Sequence, residues 1–252
     1  MKSESGKGAI WHENVRKRCG IEHSAVLSDF ACRKKQKSKR LLLFLYCKRR
    51  MIMKKIYKSL MKDSRAASVP DAAKHIAFTF DDGPSENTEL LLNGLSERNA
   101  KASFFLIGSK AESSPELVKL IYDGGHLIGN HTYSHVDLKK CSKAEAAQEI
   151  ARTNAVIESI TGEKPRFMRP PFGAYTRLML RRIDETPVLW SMCPKDWKYE
   201  DDEEHIFNYI VKHARDGQIV LLHDDRPATV PAALRAMDVL AAQGFEFVRV
   251  DF

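Results

Sequence analysis

The chain has 252 residues, 43% of them hydrophobic and 29% charged, an ordinary balance for a folded protein. That composition excludes a collagen-like or wholly disordered chain, and no apolar run approaches the ~18 residues of a membrane-spanning helix. The net charge of +8 is unevenly divided: residues 1–70 hold 19 basic and 5 acidic side chains, and residues 71–252 hold 22 and 28.

Residues 1–70 are read as a basic, disordered extension. Basic clusters recur in it, among them Arg16-Lys17-Arg18, Arg33-Lys34-Lys35 and Lys48-Arg49-Arg50. The one apolar run, Leu41 to Cys47, is too short to cross a bilayer. It has the basic flank of a signal or anchor, but no small-residue cleavage site follows closely. A start of translation at Met51 or Met53 is the other reading of this region. Its few scattered aromatics argue against recognition of nucleic acid by stacking.

From His75 onward, strands and helices alternate. Strands are predicted over residues 76–80, 102–107, 126–129, 166–168, 187–192, 219–222 and 245–250. Helices are predicted over 89–99, 115–122, 142–160, 177–183, 203–214 and 230–243. Pro115 opens the second helix at a position where proline is favoured. Ser142 and Glu145 form a capping-box pattern at the start of the third, and Gly162 ends it. About seven alternations imply a parallel α/β sheet. The 179 residues from Lys74 onward are fewer than the ~250 of an eight-unit barrel. A (β/α) barrel of about seven units fits, occupying residues 71–252.

In parallel α/β folds, reactive residues gather at the carboxyl ends of the strands. Asp81-Asp82-Gly83-Pro84 follows the first predicted strand and His131-Thr132-Tyr133-Ser134-His135 the third. Arg169-Pro170-Pro171-Phe172-Gly173 follows the fourth, Asp196-Trp197 the fifth and His223-Asp224-Asp225 the sixth. Five strand ends thus deliver carboxylates, imidazoles and a guanidinium to one rim. His131 and His135 are four apart, a spacing that on a helical turn puts both rings on one face, able to share a metal. A carboxylate from Asp81-Asp82 would complete a two-histidine, one-carboxylate site, although Asp-Gly-Pro is also ordinary turn sequence. Adjacent strand residues point to opposite sides, so one aspartate can bind metal while the other faces substrate.

These motifs, with Thr79-Phe80 before the aspartates and Leu221-Leu222 before His223, occur in the order seen in polysaccharide deacetylases. The segment from about residue 74 to 252 resembles that family: the NodB-homology proteins, carbohydrate esterase family 4. The resemblance implies a distorted (β/α) barrel and a metal-dependent hydrolase that removes N-acetyl groups from a glycan rich in N-acetylglucosamine, peptidoglycan or chitin-like. It implies Asp81 as catalytic base, with Arg169 orienting it. Asp82, His131 and His135 are the implied ligands of one divalent metal, zinc or another borderline cation such as cobalt. His223 is the implied acid and Asp196 the carboxylate that tunes it. Phe172 stands where the family usually has tyrosine, and only its backbone N–H is needed there, against the oxyanion. Trp197 and Leu221 are implied walls of the substrate groove and acetyl pocket. Cys193 occupies a position that often carries an additional aspartate, which alters the groove but spares the metal and acid–base residues.

Two competing readings share these residues: an O-acetyl xylan esterase on the same fold, and a catalytically inactive carbohydrate-binding protein. The presence of both Asp81 and His223 argues against the second. The expected partner is an acetylated polysaccharide, with the extension in electrostatic contact with an anionic membrane or cell wall and no nucleic acid bound. The substrate class points to the cell envelope or the outside of the cell, and a cytoplasmic site stays open. Cys19, Cys32 and Cys47 match no zinc spacing, and Cys141, in a loop before a helix, is read as inert. His75, His126, His205 and His213 are assigned structural or solvated roles.

Overall fold

The computed structural model describes residues 73–176 and 183–251. The extension, and the short helix predicted over 177–183 except for its last residue, lie outside the described residues. In chain order the described elements are β1 (Lys74–Asp81), α1 (Thr88–Glu97), β2 (Ser103–Leu106), α2 (Gly108–Ser113), α3 (Pro115–Asp123), β3 (Leu127–Asn130) and α4 (Lys143–Thr161). They continue with β4 (Phe167–Met168), β5 (Thr186–Pro187), α5 (Glu203–His213), β6 (Gln218–His223), α6 (Thr229–Ala242) and β7 (Phe245–Phe247). Single 3₁₀ turns lie at Pro171–Gly173 and Asp196–Lys198.

All the strand pairs are parallel, in the order β5-β4-β3-β2-β1-β6, with β7 on the first residues of β1. The strand predicted over 187–192 is split. Thr186 and Pro187 pair with β4, whereas Met192 bridges to Val220 of β6. The intervening segment therefore carries the chain from one end of the sheet to the other and closes a distorted barrel.

Alternation along β1 separates two environments. Ile76, Phe78 and Phe80 lie in the main core with Leu91 and Leu95 of α1 and Ala233, Met237 and Leu240 of α6. Phe80 stacks on Phe104 of β2, centroids 5.5 Å apart. Thr79 and Asp81, on the opposite side of the strand, meet the fully buried Arg169, whose guanidinium lies 4.2 Å from the Phe105 ring centroid. The face of the sheet toward the helices is thus apolar, and the opposite face is polar at its carboxyl end. The capping box at Ser142 forms as predicted, and Gly162 ends α4 in the left-handed conformation its missing Cβ permits.

His126 is buried, edge-on to Phe104, and its Nδ1 accepts the backbone N–H of Ala102 at 3.2 Å. Burial, reinforced by the charges of Lys101 and Arg249, lowers its pKa from 6.5 to about 4. The unfolded chain therefore takes up a proton at a pH where the folded chain does not. Stability from this group falls as pH drops from 6.5 to 4 and is level outside that window. Urea unfolding midpoints at pH 7 and pH 4.5 test this: His126→Gln, which keeps an acceptor but does not titrate, loses less on acidification than the wild type. Equal losses in both proteins would contradict it.

Candidate active site

The register of the sheet aligns the strand ends that carry the motifs. Asp81 lies beside His223 on β6 and Phe105 on β2, and Asn130, just before His131, lies beside Met168, just before Arg169. Asp81 is 2% exposed, and its Oδ1 accepts from Arg169 Nη1 at 2.7 Å. Arg169 is itself held by Thr79 Oγ1 (2.7 Å) and by the carbonyl of Val188, which accepts from Nε (3.1 Å). A guanidinium fixed on three sides fixes the carboxylate in turn.

Asp82 does not continue the alternation of β1. Its φ of 67° turns the backbone, and its carboxylate comes to the same side as that of Asp81. His131 Nε2 is 3.3 Å from Asp82 Oδ1 and 3.8 Å from Asp81 Oδ2, and His135 Nε2 is 3.3 Å from Asp82 Oδ1. The two imidazoles converge without the helical turn that their spacing suggested. Residues 131–135 form a loop in which Thr132 (φ 64°) and His135 (φ 57°) are left-handed, and the ring centroids are 5.1 Å apart. His131 Nδ1 lies 2.6 Å from the carbonyl of Arg169, which can only accept. The proton of a neutral His131 ring therefore sits on Nδ1, and Nε2 presents its lone pair to the site.

One ligand atom from each of Asp82, His131 and His135 lies within 4.8 Å of the others. Asp82 Oδ1, between both imidazoles, is buried with no hydrogen-bond partner. An orphaned carboxylate oxygen facing two ring nitrogens fits a divalent cation, and the donor set leaves room for further ligands. Burial raises the pKa of Asp82, but the pull of the His131, His223 and His135 imidazoles outweighs that and holds the carboxyl below the usual range. Burial pushes the pKa of His135 down against the pull of Asp82. Both directions favour the forms that ligate: carboxylate and neutral imidazole.

His223 Nε2 lies 4.0 Å from Asp82 Oδ2, and its Nδ1 lies 3.0 Å from Oδ1 of the fully buried Asp196. Asp196 Oδ2 accepts from the His223 backbone N–H at 2.6 Å and from Thr229 Oγ1 at 3.0 Å. Burial works to lower the pKa of His223, yet Asp196 outweighs it and holds the imidazole up at about 9. Trp197, 44% exposed, stands edge-on to His223 with centroids 5.4 Å apart. Phe172, 69% exposed and left-handed at φ 58°, packs its ring edge-on to His135 at 4.8 Å. Leu221 is buried on β6 beside Thr79.

Every site residue predicted from the sequence thus lies in or beside this rim. Thr79, named only as the start of the first motif, and Thr229 were assigned no role. Thr79 could have been given one, because it shares a strand face with Asp81. Asp225, a second carboxylate after β6, is occupied elsewhere, 3.4 Å from both Lys110 Nζ and Arg226 Nε. The free thiols of Cys141 and Cys193 are half-buried, and His205 stacks on Tyr199 at 3.6 Å.

Fold and site together put the chain among parallel (β/α)-barrel proteins with a candidate mononuclear metal centre flanked by acid–base groups. Residues 68–188 match the polysaccharide deacetylase family. The chain is 37% identical over 190 residues to the peptidoglycan-N-acetylglucosamine deacetylase PgdA of Listeria monocytogenes, covering 74% of this chain and 41% of that protein. It therefore spans less than half of that relative's length. Among solved structures it is similar to the peptidoglycan deacetylase PdaC of Bacillus subtilis (TM-score 0.70, 33% identity, 73% of this chain and 91% of that one). It is similar also to a family 4 acetyl xylan esterase of Clostridium thermocellum in complex with a cobalt ion (TM-score 0.66, 32% identity, 71% and 89%). The chain belongs to the polysaccharide deacetylase family.

Proposed function

We propose that residues 71–252 form a metal-dependent deacetylase that cleaves the N-acetyl group of N-acetylglucosamine units in a glycan such as peptidoglycan, releasing acetate and a free amine. The observation that carries this reading is the orphaned Asp82 oxygen between two imidazoles, flanked by a carboxylate held by Arg169 and an imidazole held by Asp196. Asp82, His131 and His135 are the ligands in this reading. Two imidazoles and one carboxylate suit zinc or another borderline cation.

A divalent cation bound there supplies Lewis-acid polarisation of the acetyl carbonyl and acidifies water. Asp81 takes the proton of the attacking water, and Arg169 keeps its other oxygen from turning away. The Phe172 backbone N–H is assigned to the oxyanion that develops on the carbonyl oxygen. His223 enters as imidazolium and gives its proton to the departing nitrogen, so that the amine leaves neutral as the C–N bond breaks. Asp196 stabilises that charged ring before transfer. Trp197 and Leu221 bound the groove and the acetyl methyl.

The substrate arm rests on the peptidoglycan deacetylases among the relatives, and the esterase neighbour keeps acetylated xylan as the competing substrate. Incubating zinc-loaded protein with N-acetylglucosamine oligosaccharides and, in parallel, with acetylated xylan decides between them. Faster acetate release from the amide is expected. Acetate from xylan alone would reassign the substrate, and acetate from neither would favour a carbohydrate-binding protein. The basic residues 1–70 are assigned to salt-sensitive contact with an anionic membrane or wall surface, outside the catalytic unit.

A further inference from the structure

We infer that Glu149, on α4 and outside the rim, is a positioning residue that sets the geometry of the two candidate metal-binding imidazoles. The inference rests on the reading of Asp82, His131 and His135 as a metal site.

The loop between His131 and His135 has a strained backbone for its sequence, with two non-glycine residues left-handed. Something must hold it, since each such residue costs ~1 kcal/mol or more. Four consecutive backbone N–H groups of the loop have identified acceptors. His131 N–H bonds to the carbonyl of Leu106 at 2.9 Å, and Thr132 N–H to Asn130 Oδ1 at 2.8 Å. The next two converge on one atom: Tyr133 N–H and Ser134 N–H both reach Glu149 Oε2, at 2.9 and 2.8 Å. The other oxygen, Oε1, accepts from Ser134 Oγ at 2.9 Å. One carboxylate therefore takes three hydrogen bonds from the two residues midway between the imidazoles.

The carbonyl side of the loop is fixed as well. Gly108 N–H and Ser109 N–H, opening α2, donate to the carbonyls of Thr132 and Tyr133 at 2.9 and 3.0 Å. Gly108 permits this approach, because a Cβ there would meet Thr153 Oγ1 at 2.6 Å and the Tyr133 ring at 2.8 Å. Asn130 is braced in turn by α4, donating to the Ile150 carbonyl (2.9 Å) and to Asn154 Oδ1 (2.8 Å). Within this framework Glu149 is the charged member. Ionised, it accepts all three bonds without needing a proton of its own. It touches neither imidazole, so its effect passes through the backbone that spaces them.

The test is zinc affinity of the purified full chain, measured by competition with a chromogenic chelator, with thermal unfolding of the metal-free proteins alongside. Glu149→Ala is expected to weaken zinc binding by about tenfold or more, the scale for groups that orient metal ligands. Glu149→Gln is expected to recover most of it. Its Oε1 can still accept both N–H groups, and its amide can donate to Ser134 Oγ. Glu149→Asp, one methylene shorter, is expected to fall between, and it replaces Ala should the Ala variant not fold. A merely structural role would lower the metal-free unfolding temperature without this ordering of affinities. Wild-type affinity in the Ala or Asp variant would overturn the inference, as would a Gln variant no better than Ala. Failure of the wild type itself to bind zinc would instead overturn the metal-site reading.

Discussion

Asp81→Asn is expected to lower turnover of an N-acetylglucosamine oligosaccharide by about 10²-fold or more, with bound metal unchanged. Asparagine keeps the size of the side chain and an oxygen to accept the Arg169 Nη1 donor now 2.7 Å away. It cannot take a proton from water. The three groups that fit a metal, Asp82, His131 and His135, are untouched. Loss of turnover with retained metal would therefore report the base and not the site. Removing one member of a buried ion pair also costs stability, so the unfolding temperature is measured on the same sample. Near-normal turnover would move the base elsewhere. Asp225, after β6, is the next candidate, but its pairing with Lys110 and Arg226 leaves it poorly placed for that task.

His223→Ala is expected to cost ~10²–10⁴-fold on an amide substrate and much less on an activated acetyl ester. An amine leaves poorly unless protonated, whereas a nitrophenolate leaves without help. The contrast isolates proton donation from any general damage to the groove. Here the ring is fixed by Asp196, which is fully buried and accepts from the ring, the His223 backbone and Thr229. Equal losses on amide and activated ester would contradict the role of acid and leave His223 as a packing residue for Trp197.

Much of this site was legible in the sequence because strand ends in a parallel sheet share one rim. Once residues 76–80 and 219–222 read as strands, Asp81 and His223 were expected on one rim; that their strands are neighbours, paired in register, is a result of the fold. What lies at the rim followed from order and alternation. What holds the rim did not. Thr132 and His135 are left-handed without being glycine, so nothing local marks the turn that brings the imidazoles together. Asp82 likewise leaves the strand alternation through a positive φ, and both aspartates face one side where opposite sides were expected. Glu149 reads as one more charged residue on a solvated helix, and its role depends on how α4 lies against the loop. The split of the strand predicted over 187–192 is a tertiary outcome too, since its two ends serve different neighbours in closing the barrel. The helix α2 was missed because Gly108–Ser113 is short and has little apolar period.

A single metal-dependent deacetylation centre in each chain makes a definite demand on a zinc titration. Protein stripped of metal with a chelator is given increasing zinc while acetate release from an N-acetylglucosamine oligosaccharide is followed. Negligible release is expected at zero zinc, then a linear rise to one equivalent per chain and a plateau beyond it, with His131→Ala flat throughout at the same concentrations. Full turnover in the stripped protein, or a His131→Ala curve that overlays the wild type, would contradict it.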